Sequence, residues 1–191
     1  MTMNIFKSCL YIGFVVFVGN LVIGEEWELG ELGEIKFNQR HGPKIDLLEN
    51  DTVARRYEGG CWSVCFSDRP LKVNQTLHFN ITEVEMGWLA NLNVGIYYGD
   101  PNDLPLGALV LCDANVSASL NNTEVFIFEA EKFYSEDNVY EFRIDHDGNA
   151  LLSPNVTSDD IVFTGVDVNK TFFAIFNVFG DAKAVKLLGT S

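Results

Sequence analysis

Apolar and polar residues alternate in short runs along this chain. Over residues 76–84, Leu77, Phe79 and Ile81 fall on one face and His78, Asn80 and Thr82 on the other. That period of two predicts a half-buried strand with water on its polar side. Residues 139–145 repeat the pattern, with Tyr140, Phe142 and Ile144 inward against Glu141 and Arg143 outward. A strand ending at Phe66 precedes a turn through Arg69-Pro70-Leu71, residues 92–98 form a strand that stops at an Asp100-Pro101 turn, and residues 124–129 read as another. Within residues 107–124 only 109–112 carry an apolar run, so a short strand and an exposed loop are expected. Residues 171–188 are apolar on both faces, which predicts a central strand covered on each side, turned by Gly180-Asp181 into a closing strand at 183–188. No helical period of any length appears. Many short strands with turns every 8–12 residues predict an all-β fold, an antiparallel β-sandwich.

The phrase Asp145-His146-Asp147-Gly148-Asn149 has side-chain oxygens at calcium-loop positions 1, 3 and 5. Its Gly stands at position 4, where a calcium loop has it at 6, and position 12 is Val156 where a bidentate Glu is required. Asp147-Gly148 between two strands is a hairpin signal, and a turn is expected.

The chain has 191 residues, 47% hydrophobic and 13% aromatic, enough for one domain with a core. It opens with a single cation, Lys7, an apolar run interrupted at Gly19-Asn20, and Gly24 before Glu25. This is the pattern of a secretory signal peptide over residues 1–24, and the run is too short for a membrane anchor. Residues 25–33 are then an acidic segment and 34–191 the sandwich. The formal charge of −14 becomes −15 when Lys7 is removed. Such a surface repels nucleic acid and anionic lipid, so neither is expected as a partner, and it favours basic proteins or cations.

Seven Asn-x-Ser/Thr sequons occur, at Asn50, Asn74, Asn80, Asn115, Asn121, Asn155 and Asn169, where composition alone gives about 1.6 by chance. Their excess agrees with the signal peptide, and a secreted, N-glycosylated product is expected. Cys9 lies in the leader, leaving Cys61, Cys65 and Cys112, an odd number. Extended chain from Cys61 to Cys65 spans about 13 Å, too far for a bridge, so Cys112 is expected to pair with Cys65 or with Cys61. The remaining thiol is either buried or links a homodimer. Three Cys and scattered His41, His78 and His146 lack zinc-ligand spacing.

Several phrases taken in order resemble a known family. They are Phe37 with Arg40-His41-Gly42, then Ile45-Asp46-Leu47, then Phe66-Ser67 with Arg69-Pro70-Leu71. Val94-Gly95-Ile96, Asp100-Pro101, Leu104-Pro105 and the run from Phe173 to Gly180 follow. This order is similar to the Neuralized homology repeat (NHR) domain, a protein-interaction module. The resemblance implies a β-sandwich with a hairpin at the Asp147-Gly148 position and a recognition role. It departs after Pro105, where NHR domains have a longer stretch with a Trp-containing strand. Ubiquitin ligases of the family recruit through a RING domain with eight Cys/His ligands, which three mature Cys cannot supply, so ligase activity does not carry over.

No P-loop, dinucleotide fingerprint or nucleophile elbow is present, and Ser63, Ser67, Cys61 and Cys65 are nucleophiles by type only. Glu25-Glu26 and Asp159-Asp160 read as solvated carboxylates. Neither catalysis nor a cofactor or metal is expected. The leading expectation is a secreted module that binds a protein partner, on a face free of sequons that includes Arg40, His41, Arg55, Arg56, Trp62 and Trp88. Two alternatives stay open: a carbohydrate-binding sandwich in which Trp88, Tyr97 and Tyr98 stack on a sugar, and an intracellular adaptor if the leader is not used.

Overall fold

The computed structural model describes residues 32–59, 63–85, 92–105, 109, 138–154 and 159–191, and the backbone of 125–129. The strands are β1 (Ile45–Leu48), β2 (Val53–Arg56), β3 (Val64–Phe66), β4 (Leu77–Val84), β5 (Asn93–Tyr98), β6 (Val125–Glu129), β7 (Val139–Ile144), β8 (Ala150–Pro154), β9 (Asp160–Phe163), β10 (Phe172–Asn177) and β11 (Ala182–Thr190). One sheet runs β1-β2-β11-β4-β7-β8-β9 and the other β3-β10-β5-β6, every pairing antiparallel. This is the expected β-sandwich.

The alternation in β4 and β7 aims Leu77, Phe79, Ile81, Tyr140, Phe142 and Ile144 into the main core, where they meet Val94, Ile96, Phe172, Ala174 and Phe176 of the smaller sheet. Phe79 and Phe176 touch edge to face across the layers, centroids 5.2 Å apart, and Phe37 meets Phe176 at 5.7 Å. β10 is buried at every position because both its faces are covered. Phe172, Ala174 and Phe176 face the main core, and Ile175 packs with Val64, Phe66, Tyr97, Leu104 and Leu109 in a second cluster.

The expected turn forms at residues 145–149. Asp145 Oδ1 accepts from the Asp147 and Asn149 amides at 2.9 and 2.8 Å, and Oδ2 accepts from Asn149 Nδ2 at 2.8 Å. These bonds, that of the Asn149 side chain first, hold the Asp145 carboxyl below its usual range.

The chain turns at Gly180-Asp181 as expected, and the closing strand β11 lies centrally in the large sheet between β2 and β4, while β10 lies in the small one. Two expectations are corrected. The polar face of β4 is not uniformly wet: Thr82 is exposed, Asn80 half-buried, and His78 only 3% exposed. Ser191 Oγ lies 2.9 Å from His78 Nε2 and Glu141 Oε1 lies 3.4 Å from Nδ1, closing over the ring. Cys65 carries a free thiol in the core in place of a bridge to Cys112, and burial pushes that thiol up. Cys61 and Cys112 lie outside the described residues, as does the expected strand at 109–112 beyond buried Leu109. Among the described residues no helix is long and apolar enough to cross a membrane.

Candidate functional site

The segment before β1 runs along the edge of the small sheet. Phe37 bridges Ser67, the Asn38 amide donates to the Phe66 carbonyl at 2.8 Å, and the Gly42 amide to that of Val64 at 2.6 Å. Residues 36–39 thus lie beside Asp68, whose Oδ1 accepts from the Lys36 amide at 3.1 Å.

The β1–β2 turn closes over the same segment. Glu49, Asn50 and Asp51 have φ of 49°, 57° and 65°, three consecutive side-chain-bearing residues in the left-handed region. Each non-glycine residue held there costs about 1–2 kcal/mol, less for Asn and Asp. The turn is held by Thr52 Oγ1 donating to the Glu49 carbonyl at 2.8 Å and by Lys186 on the Glu49 carboxylate at 2.6 Å. Its effect is to present both ends of Asp51: the carbonyl accepts from the Phe37 amide at 2.7 Å, and Oδ2 accepts from Gln39 Nε2 at 2.8 Å.

A third piece comes from the loop after β5. Asp100 caps a single 3₁₀ turn, Pro101–Asp103, by accepting from the Asn102 amide, and Oδ1 also takes Asn102 Nδ2 at 2.8 Å. The Arg40 guanidinium donates to the Leu104 carbonyl and ties this loop to the first segment.

Between the three pieces lies a groove of about 300 Å³ lined by Lys36, Phe37, Asn38, Gln39, Asp51, Asp68 and Asn102. Glu34 Oε1 holds Lys36 Nζ at 2.8 Å; that bond keeps the Glu34 carboxyl below and the Lys36 ammonium above their usual values. A second depression of about 280 Å³, lined by residues 70–73 and 168–172, has sequon Asn169 in its wall.

Of the residues expected to form one binding face, the described ones, Arg40, His41, Arg55 and Arg56, do not converge. Arg40 and His41 are half-buried near the groove. Arg55 lies on the outer face of the large sheet, its Nε 2.8 Å from Glu83 Oε1. Arg56 is 1% exposed and is removed from the accessible surface: its Nη2 donates to the Gly180 carbonyl at 2.7 Å and the Ala182 carbonyl at 3.3 Å. Trp62 and Trp88 lie outside the described residues. Sequons Asn50, Asn74 and Asn169 are exposed in turns, Asn80 is half-buried, and Asn115, Asn121 and Asn155 fall outside the described residues. Asn50 adjoins Asp51, so the groove is not on the sequon-free face expected. Sequence reasoning missed Asn38, Gln39, Asp51, Asp68 and Asn102, whose only signals are turn-type residues between apolar phrases.

A family model described as Neuralized matches residues 37–189. The proteins named "Protein neuralized" of Drosophila virilis and Drosophila melanogaster are each 24% identical over 159 residues, which is 82% of this chain. The chain spans about a fifth of their length, 21%. The crystal structure of the Drosophila melanogaster neuralized-NHR1 domain is similar with a TM-score of 0.69 at 20% identity, covering 81% of this chain and 97% of that one. The match runs from Phe37, the first apolar anchor of the groove segment, to Gly189 near the end of β11, and with the shared sandwich it shows that this chain belongs to the Neuralized family.

Proposed function

We propose that this chain is a secreted, N-glycosylated, non-catalytic module that recognises a protein partner through the groove between residues 36–39, the β1–β2 turn and Asn102. The observation that carries the reading is the left-handed run at Glu49, Asn50 and Asp51 beside that groove. Backbone strain persists where surrounding bonds over-determine it, and it concentrates at binding sites. Here it holds polar side chains rigidly around an open depression, the pre-organisation that recognition rewards. Loops on a sandwich scaffold suit such a role.

The extracellular part of the reading rests on the leader pattern and on sequons in exposed turns at Asn50, Asn74 and Asn169. It is tested by expressing the tagged full chain in animal cells and comparing medium with lysate, before and after enzymatic removal of N-linked glycans. Secretion with a mobility shift is expected; retention in the cytosol at the bare polypeptide mass overturns it. The recognition part is tested by probing the purified product against an array of extracellular proteins. Saturable binding to a defined member is expected, and a folded product that binds none overturns it.

A further inference from the structure

We infer that the second depression, between residues 70–73 and 168–172, is the seat of the chain's own glycan: the first N-acetylglucosamine attached at Asn169 lies in it. This rests on the secreted, N-glycosylated part of the reading above and adds what one of those sugars does.

The attachment point is rigid. Asn169 is exposed and lines the depression, as does Thr171, which completes its sequon. Asp167 Oδ1 accepts from the Asn169 amide at 3.1 Å and from Asn169 Nδ2 at 3.2 Å. Asp167 is itself anchored, since its amide donates to the Tyr98 hydroxyl at 2.6 Å and its carbonyl accepts from the Lys170 amide at 3.1 Å. The Lys170 ammonium lies 5.0 Å from the centre of the Tyr98 ring. A glycosylated side-chain amide keeps one of its two N–H groups, so it still has a donor for Asp167. The sugar thus starts from a fixed place in the wall. A group joined to its site by a short link is present there at an effective concentration on the order of millimolar, so weak contacts suffice to seat it.

The depression has the surface that a pyranose ring covers. Leu71 and Phe172 are buried and joined by a bridge in which the Leu71 amide donates to the Phe172 carbonyl at 2.9 Å. Val73 and Val168 are half-buried and pack on the main core, which leaves apolar surface open to water. Lys72, Lys170 and Thr171 are exposed and place polar groups around it. A pyranose shows C–H groups on its face and hydroxyls around its edge. Its face takes the valines out of water while its hydroxyls keep polar neighbours, and that apolar burial is the driving force. The volume, about 280 Å³, is at the small end of ligand pockets and has room for a monosaccharide.

Other occupants fit less well. Among the described residues that line it there is no carboxylate, so a basic segment finds no counter-charge. An anion finds exposed lysine side chains and no buried donor. Any incoming macromolecule must also pass the sugar on Asn169.

The test uses the full chain secreted by animal cells that keep N-glycans in the high-mannose form and are fed isotope-labelled valine and leucine. An endoglycosidase then trims each glycan to its first N-acetylglucosamine. Nuclear Overhauser contacts are expected between the methyl groups of Leu71, Val73 and Val168 and the ring protons of the sugar on Asn169, before and after trimming. Thr171→Val removes the sequon and keeps Asn169 with its bonds to Asp167. It should abolish those contacts, and its trimmed form should melt about 2–4 °C below the trimmed native chain, the scale on which one modest interaction moves a domain of this size. Asn169→Gln serves as the second variant and should show the same loss. Asn74→Gly removes the neighbouring sequon at φ 61° without strain and should leave the contacts in place. Absent contacts, contacts to polypeptide or to the sugar of Asn74, or unchanged melting in both Asn169-site variants overturns the assignment. Glycopeptide mass spectrometry separates the two levels of the reading. A secreted chain glycosylated elsewhere with Asn169 bare overturns this inference alone; a cytosolic chain without glycans overturns the secreted reading and this inference with it.

Discussion

Two buried polar residues show how individual side chains depart from a period-two reading. Arg56 occupies an inward position of β2 and lies where β11 begins, so its guanidinium serves the Gly180 and Ala182 carbonyls left over at the crossing between sheets. Burial presses it below the usual Arg value, with Glu85 pulling the other way. Removing it leaves two carbonyls unsatisfied and a cavity, and Arg56→Ala is expected to lower the unfolding free energy by about 3 kcal/mol in urea titrations. A loss under about 1 kcal/mol would show that water replaces those bonds. His78 sits on the outward face, and burial pushes its pKa below the usual value, opposed by Glu141. The unfolded chain therefore takes up the proton first as pH falls below about 6.5, and stability drops until the folded pKa is passed. Asp145 and Asp159, held low by hydrogen bonds from Asn149 and Arg143, lose their contribution only at more acid pH. Between pH 7 and 5 the native chain is thus expected to lose stability that His78→Gln retains; parallel curves for the two proteins would refute this.

At the scale of elements, β4, β5, β7 and β10 were legible because apolar burial imposes its period on six to eight residues. β1 and β2 have four residues each, too few for a period to declare itself; β1 was visible only as the phrase Ile45-Asp46-Leu47, and β2 not as a strand at all. The Asp147-Gly148 turn was legible for a local reason, and the structure adds a tertiary one. Gly148 has φ 76°, and a Cβ there would come within 2.3 Å of the Val166 carbonyl oxygen, which belongs to the chain beyond β9. Gly165 has a similar φ of 86° and open space around it. Gly165→Ala should therefore cost only the conformational penalty, about 1–2 kcal/mol, while Gly148→Ala carries that penalty and a backbone displacement, about 3 kcal/mol or more. Thermal unfolding of the two variants separates these contributions, and equal losses would mean that the Val166 contact yields freely.

The whole molecule was the least legible scale, because sheet partition is decided by pairings far apart in sequence. β3 and β4 are joined by ten residues and lie in different sheets, as do β10 and β11 across Gly180-Asp181. The groove is a product of that partition, since it draws Asn38, Asp51, Asp68 and Asn102 from four separate stretches. The partition also brings sequons Asn50, Asn74 and Asn169 to the same end of the sandwich as the groove. Asn50 matters most, for the glycan proposed there would stand next to Asp51. If the site works as proposed, that sugar limits how a partner segment enters it, acting on association more than on the contacts once formed. Asn50→Gly removes the sequon and keeps the turn, because glycine adopts φ 57° without strain. The secreted variant should bind its protein partner with a faster association rate and an unchanged dissociation rate, and enzymatic deglycosylation of the native chain should reproduce the change. Surface-based kinetics read both rates, and a variant whose dissociation alone changes would place the effect in the turn and not in the sugar.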